Sequence, residues 1–235
     1  MNINTVLFDL DGTLLPMDQD IFIKNYLSRL AHKMASFGYD PKRLVSAVWA
    51  GSDAMVKNDG SALNEKVFWD TFAGIMGEET KKDIPEFDKF YSNEFDLVRE
   101  VCSPDPRSRE VVELCREKGL RTILATNPLF PEIATRRRAT WAGLEFDSFE
   151  LVTTYANSTY CKPSLGYYRE ILDKLGVSPE ECLMVGNDVS DDMVAEGLGM
   201  KVFLLTDCLI NKENVDITRY PNGGFDELLA LISEL

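Results

Sequence analysis

Asp9 and Asp11 stand two residues apart in Asp9-Leu10-Asp11-Gly12-Thr13, at the end of an apolar run that begins at Thr5. Residues two apart on a strand face the same side, so the carboxylates could converge, although a turn at Gly12 would redirect the second. Gly12 would let backbone amides approach an anion closely; Asp-Gly is equally an ordinary turn dipeptide. A buried strand that ends in two carboxylates calls for a cation or another partner, because unpaired buried charge is costly. Three later segments add to the chemistry. Thr126 and Asn127 follow the apolar Leu124-Ala125 and precede Pro128 and Pro131, where they could cap a helix or bind phosphate with the same amides. Lys162 precedes Pro163 and, read alone, is a solvated surface charge. Asn187, Asp188, Asp191 and Asp192 crowd the end of another apolar run, a density that suits a hard divalent cation or an acid-capped helix.

The elements that must position these residues are short apolar runs: Thr5 to Leu10, Leu120 to Ala125, Phe149 to Thr153, Cys182 to Val185 and Lys201 to Leu205, separated by helical patterns. Strand-helix alternation predicts an α/β fold with a Rossmann-like parallel sheet, helices on both faces, and ligands at the carboxyl ends of the strands. Each chemical segment falls at such an end. From about Met17 to Val101 the strand pattern is absent, and Ile21 to Met34, Leu63 to Met76 and Phe87 to Val101 read as amphipathic helices. The expected layout is therefore a core of residues 1–16 and 102–235 with an inserted all-helical subdomain over 17–101.

Composition narrows the function. A charge of −14, from 39 acidic and 25 basic side chains, opposes binding to nucleic acid or to an anionic membrane surface. No apolar run reaches the roughly 20 residues of a membrane span, so a cytoplasmic protein is expected. Five scattered cysteines, never spaced as CxxC, suggest neither a zinc site nor a disulfide framework. The one histidine, His32, sits in a helical pattern and is read as structural, which removes imidazole-based triads and leaves carboxylates, lysine and hydroxyls to do any chemistry.

In order and spacing the four segments resemble the haloacid dehalogenase superfamily, in particular its phosphatases with a helical cap inserted after the first motif. DLDGTLL is similar to the superfamily's DxDGT signature, LATN to its strand-plus-threonine motif, Lys162 to its lysine and VGNDVSDDM to its acidic motif. The resemblance implies an aspartyl-phosphate on Asp9, with Asp11 as the acid and then the base. It implies Mg2+ held by Asp9, the Asp11 carbonyl and an acid of the last motif, and phosphoryl oxygens held by Thr126, Asn127 and Lys162. Asn187 stands where the family has aspartate after glycine. Asp188 is taken as the metal ligand with Asp192 in support; the other register pairs Asn187 with Asp191.

The expected activity is magnesium-dependent hydrolysis of a small soluble phosphate monoester. Phosphosugar mutase and phosphonate hydrolase activities reuse the same core, and a non-catalytic phosphoryl-binding module is the reading of a different class. Dehalogenation is disfavoured because Asp11 is present. A signalling receiver is disfavoured because its acids precede its hydroxyl and lysine. Specificity is expected from the inserted helices. Within them, the polar stretch Gly51 to Asn58 reads as a solvated loop between helices, and Arg136, Arg137 and Arg138 read as a solvated or salt-bridged face.

Overall fold

A computed structural model describes residues 3–235. Its centre is a six-stranded, wholly parallel sheet in the order β3-β2-β1-β4-β5-β6. The strands are β1 (Thr5–Phe8), β2 (Arg121–Leu124), β3 (Leu151–Val152), β4 (Cys182–Gly186), β5 (Lys201–Leu205) and β6 (Asn222–Gly223). All four residues of β1 are buried. Val6 and Phe8 pack into the apolar layer on one face, and Leu7 into the layer on the other. A strand covered on both faces reads as a continuous apolar run, which is why β1 shows in the sequence.

Helices α5 (Pro106–Glu117), α6 (Glu132–Trp141), α7 (Leu165–Leu175) and α8 (Phe225–Glu234) complete the layers. α5 opens with Pro106 at its first turn behind Asp105, whose carboxylate accepts from the Arg107 amide; this satisfies one of the free N–H groups of a helix start. β1 pairs with β2 on one side and β4 on the other, with Phe8 opposite both Leu124 and Val185. The chain order reverses here, so Asp9 emerges at the crevice where an open α/β sheet places ligands.

Between β1 and α5 the described residues form no strand longer than a single bridge; the regular elements are α1 (Gln19–Ala35), α2 (Pro41–Val56), α3 (Asn64–Met76) and α4 (Ile84–Asn93), with 3-10 turns at Glu78–Asp83 and Phe95–Val101. Met17 and Cys102 form an antiparallel bridge and Ser103 N–H donates to Pro16 O, so the segment leaves and returns at one point. The sequence reading needs three corrections here. Four helices stand where three were expected, because Pro41–Val56 is helical and the stretch read as a loop from Gly51 lies within it as far as Val56. The run Phe87 to Val101 divides between α4 and a 3-10 turn. β3 is two residues long and begins after the 3-10 turn Phe146–Ser148, so most of Phe149 to Thr153 is not strand. No described helix is long and apolar enough to cross a membrane. His32 is exposed on α1.

Candidate active site

The carboxyl ends of β1, β2 and β4, with the turn before α7, bring Asp9, Asp11, Thr126, Asn127, Lys162, Asn187, Asp188, Asp191 and Asp192 around one cavity of about 130 Å³. The sequence segments far apart in the chain thus share one space, and each owes its place to the sheet. Asp9 N–H continues the ladder to Val185 O at 2.9 Å, which fixes the backbone immediately beyond β1.

Asp9 is 7 % exposed. Its Oδ1 accepts from Lys162 Nζ at 2.8 Å and its Oδ2 lies 3.0 Å from Thr13 Oγ1. The Thr13 hydroxyl is also 2.9 Å from Asn187 Oδ1, and its single proton serves one acceptor at a time. Lys162, itself buried, spans Asp9 and Asp192, the second contact being 2.7 Å to Oδ1. Burial opposes its charge, but Asp192 and Asp9 outweigh it and hold the ammonium well above the ordinary lysine range. Burial pushes Asp192 up to about 7 against the pull of Lys162. Asp192 is the acid on the lysine: its Oδ2 accepts from Asp188 N–H at 3.0 Å. Asp191 instead lies 3.4 Å from Asn127 Nδ2, with its carboxyl raised chiefly by burial.

Asp188 Oδ1 accepts from the amides of Ser190 and Asp191, at 2.7 and 3.0 Å, and so closes a turn. Its Oδ2 takes no part in these bonds. Asn187 Nδ2 donates to Cys208 O at 2.7 Å, which turns its amide oxygen toward Thr13. Thr126 is held through its carbonyl, which accepts from Thr153 Oγ1 at 2.6 Å and Tyr167 Oη at 3.0 Å, while the residue lines the cavity.

Asp11 has a partner that the sequence reading missed. Arg138, fully buried on α6, ion-pairs with Asp11 Oδ2 and lays its guanidinium 4.3 Å over the Phe130 ring. Asp11 keeps a fifth of its side-chain surface exposed, yet burial still dominates and raises its carboxyl to about 6; Arg138 opposes that shift and Asp9 adds to it. The Asp11 Oδ1 atom is buried without a hydrogen-bond partner among the described residues, as is Asn127 Oδ1. The three arginines part company, since Arg136 pairs with Glu132 and Arg137 with Asp96. A helical signal for Arg138 exists: Ala134 and Ala142, four residues to either side, and Trp141 are buried with it. Gln19 is a second residue the sequence reading missed, its amide donating to Asp11 O at 2.9 Å.

No group of three or more His, Cys, Asp or Glu among the described residues is placed to hold a metal by side chains alone. The donor chemistry nevertheless fits a hard cation that also uses carbonyl, phosphate or water oxygens. Five carboxylates line the cavity, and among the described residues two cations, Lys162 and Arg138, are ion-paired with them, so negative charge is in excess. The orphaned Asp11 Oδ1 points to a missing partner in the same place.

The chain matches the haloacid dehalogenase-like hydrolases over residues 3–199. It is similar to the pyrophosphatase PpaX of Anoxybacillus flavithermus, 29% identical over all of this chain and 98% of that one. Among solved structures it resembles a HAD phosphatase from Thermococcus onnurineus, with a TM-score of 0.59 at 19% identity over 98% of both chains. It also resembles the HAD-type hydrolase YfnB from Bacillus subtilis, crystallised with magnesium, with a TM-score of 0.57 at 15% identity over 99% of both chains.

Proposed function

The chain belongs to the haloacid dehalogenase-like hydrolase family, and from that premise we propose that it hydrolyses phosphate monoesters of small metabolites, with Mg2+, through an aspartyl-phosphate on Asp9. The observation that carries this reading is the pairing of unlike carboxylates at the end of β1. Asp9 is ion-paired with the Lys162 ammonium, while Asp11, raised to about 6, can hold a proton near neutrality.

In the first half-reaction an Asp9 oxygen forms a bond to phosphorus as the ester P–O bond breaks, and Asp11 gives its proton to the departing oxygen. In the second, Asp11 takes a proton from water as that water attacks phosphorus, which frees Asp9 and releases inorganic phosphate. Lys162 stays charged throughout and offsets the acids around it; Thr126 and Asn127 receive phosphoryl oxygens. Asp9, the Asp11 carbonyl and Asp188 are the residues we assign to Mg2+, which when bound lowers the repulsion between nucleophile and phosphate. The Asp11 carbonyl has a second lone pair beside the one Gln19 uses. Asp192, fully engaged by Lys162 and the Asp188 amide, supports that set from behind.

Residues 17–101 are assigned as a helical cap over a core of residues 1–16 and 102–235, a division supported by the Met17–Cys102 bridge. Such a cap excludes water from the strand ends and contacts the leaving group. We place the enzyme in the cytoplasm with a soluble metabolite as substrate.

The test is a single-turnover reaction with a phosphoryl-labelled monoester and Mg2+, quenched in acid. Label should stay on the protein, be released by hydroxylamine as expected for an acyl phosphate, and be absent from Asp9→Asn. Phosphate release from Asp9→Asn at the wild-type rate would refute the assignment.

A further inference from the structure

Beside the catalytic cavity lies a second chamber of about 100 Å³, bounded by α1, α2, α3 and α4 on one side and the Leu129–Pro131 turn on the other. Ile23, Leu129 and Phe130 line both spaces, so whatever fills the chamber adjoins a group held at Asp9. Trp49, which also lines the chamber, is 51% exposed, so the chamber reaches the protein surface there.

The walls are aromatic. Tyr26, Phe68, Trp69, Phe87, Tyr91 and Tyr155 contribute rings, and no lysine, arginine or histidine among the described residues lines the chamber. Its one charged side chain is Asp88, at the rim, whose carboxyl is raised by partial burial. The Tyr26 and Tyr91 hydroxyls share one hydrogen bond at 2.7 Å, one donating and the other accepting. Trp69 Nε1 is buried and makes no hydrogen bond, although the Tyr155 hydroxyl lies beside it; it remains able to donate to a neutral acceptor. An anionic group here would be desolvated among rings, with no cation to meet it and a carboxylate nearby. Arg138, whose guanidinium lies over the Phe130 ring of the wall, is committed to Asp11, and Lys162 on the catalytic side is committed to Asp9 and Asp192.

We infer that this chamber receives the leaving group, and that the substrates are phosphate monoesters of small uncharged apolar alcohols, aryl alcohols foremost, rather than pyrophosphate or esters bearing a second anion. The inference rests on the phosphatase reading above and gives it a substrate class. It also separates this chain from the activity its PpaX relatives are named for, because the leaving group of pyrophosphate is itself an anion.

Phenyl phosphate and 4-carboxyphenyl phosphate differ by one carboxylate on the same ring. With Mg2+ and the full chain, kcat/KM for phenyl phosphate should exceed that for 4-carboxyphenyl phosphate and for inorganic pyrophosphate by about 10-fold or more, the discrimination such a pocket can supply. Ser52 faces the chamber from α2 and is half-buried, so Ser52→Lys should shrink or reverse the phenyl preference. Acetyl phosphate, whose leaving group is too small to need the chamber, tests the phosphatase reading separately. If acetyl phosphate is turned over but phenyl phosphate has no advantage, or if Ser52→Lys leaves the ratio unchanged, the chamber is not the leaving-group site. If acetyl phosphate too survives, both readings fall together.

Discussion

Arg138, wholly buried on α6, ion-pairs with Asp11, the carboxylate we assign as acid and base, across 127 residues of chain. Breaking a buried pair by removing one partner strands the other, whereas removing both can be nearly neutral. Arg138→Met should therefore destabilise the protein by about 3 kcal/mol or somewhat less, since Asp11 keeps some solvent, and should lower kcat by up to about 100-fold with KM little changed. Adding Asp11→Asn to Arg138→Met should recover most of the stability. Urea unfolding of the two single variants and the double variant measures the coupling, and additive losses would show that the pair is not coupled.

The same carboxyl makes stability depend on pH when no divalent cation is present. Asp11 is raised from 3.8 to about 6 in the folded protein, so between those values the folded chain holds a proton that the unfolded chain has released. Folding then binds protons, and stability falls as pH rises through that window. Two pKa units correspond to at most about 3 kcal/mol. Asp192, raised to about 7, acts in the same direction over a slightly higher range. In EDTA, the stability of wild type relative to Asp11→Asn should drop between about pH 4 and pH 6.5 and be level below. A difference that stays flat across that range would contradict the raised carboxyl.

The strand ends were legible because β1, β2, β4 and β5 are apolar on both faces, so their polar residues stand out where burial stops. β6 carries no such mark: two residues, Asn222 and Gly223, join the sheet through backbone pairing with β5 alone. α2 was hidden by Gly51, which reads as a break. In the fold that glycine makes room for Phe68, whose ring would come within 2.6 Å of an added Cβ. Arg138 was lost in a charge run, because adjacent residues in a helix point about 100° apart and three arginines in a row share no single environment. The acidic segment showed its composition but not its division of labour. That Asp192 meets Lys162 while Asp188 closes a turn depends on how the chain leaves β4.

That division predicts unequal effects on metal affinity. Asp188 Oδ1 closes the turn and its Oδ2 has no hydrogen-bond partner among the described residues, whereas Asp191 Oδ2 meets Asn127 Nδ2. Asp188→Asn should raise the Mg2+ concentration for half-maximal activity by about 10- to 100-fold, and Asp191→Asn by much less. Titration of each variant with MgCl2 at saturating substrate decides it. An unchanged requirement in Asp188→Asn, with a large rise in Asn187→Ala, would shift the ligand to the preceding residue.

Gly12 offers a test of how tightly the aspartate loop is built, with Gly38 as its control. Both have positive φ, +87 and +88, so alanine at either position carries a backbone cost of roughly 1–2 kcal/mol. At Gly38 nothing lies within 4 Å of an added Cβ, while at Gly12 it would stand 2.4 Å from Asn187 Nδ2. Asn187 cannot yield cheaply, because that nitrogen donates to Cys208 O and its oxygen meets the Thr13 hydroxyl, which also reaches Asp9. Gly12→Ala should thus lose more stability than Gly38→Ala and should lower kcat by an order of magnitude or more, through displacement of Thr13 from Asp9. Gly38→Ala should lose only the backbone term and keep its kcat. Equal stability losses with unaffected turnover in both would mean that Asn187 moves aside freely and that the Thr13 contact does not hold Asp9 in place.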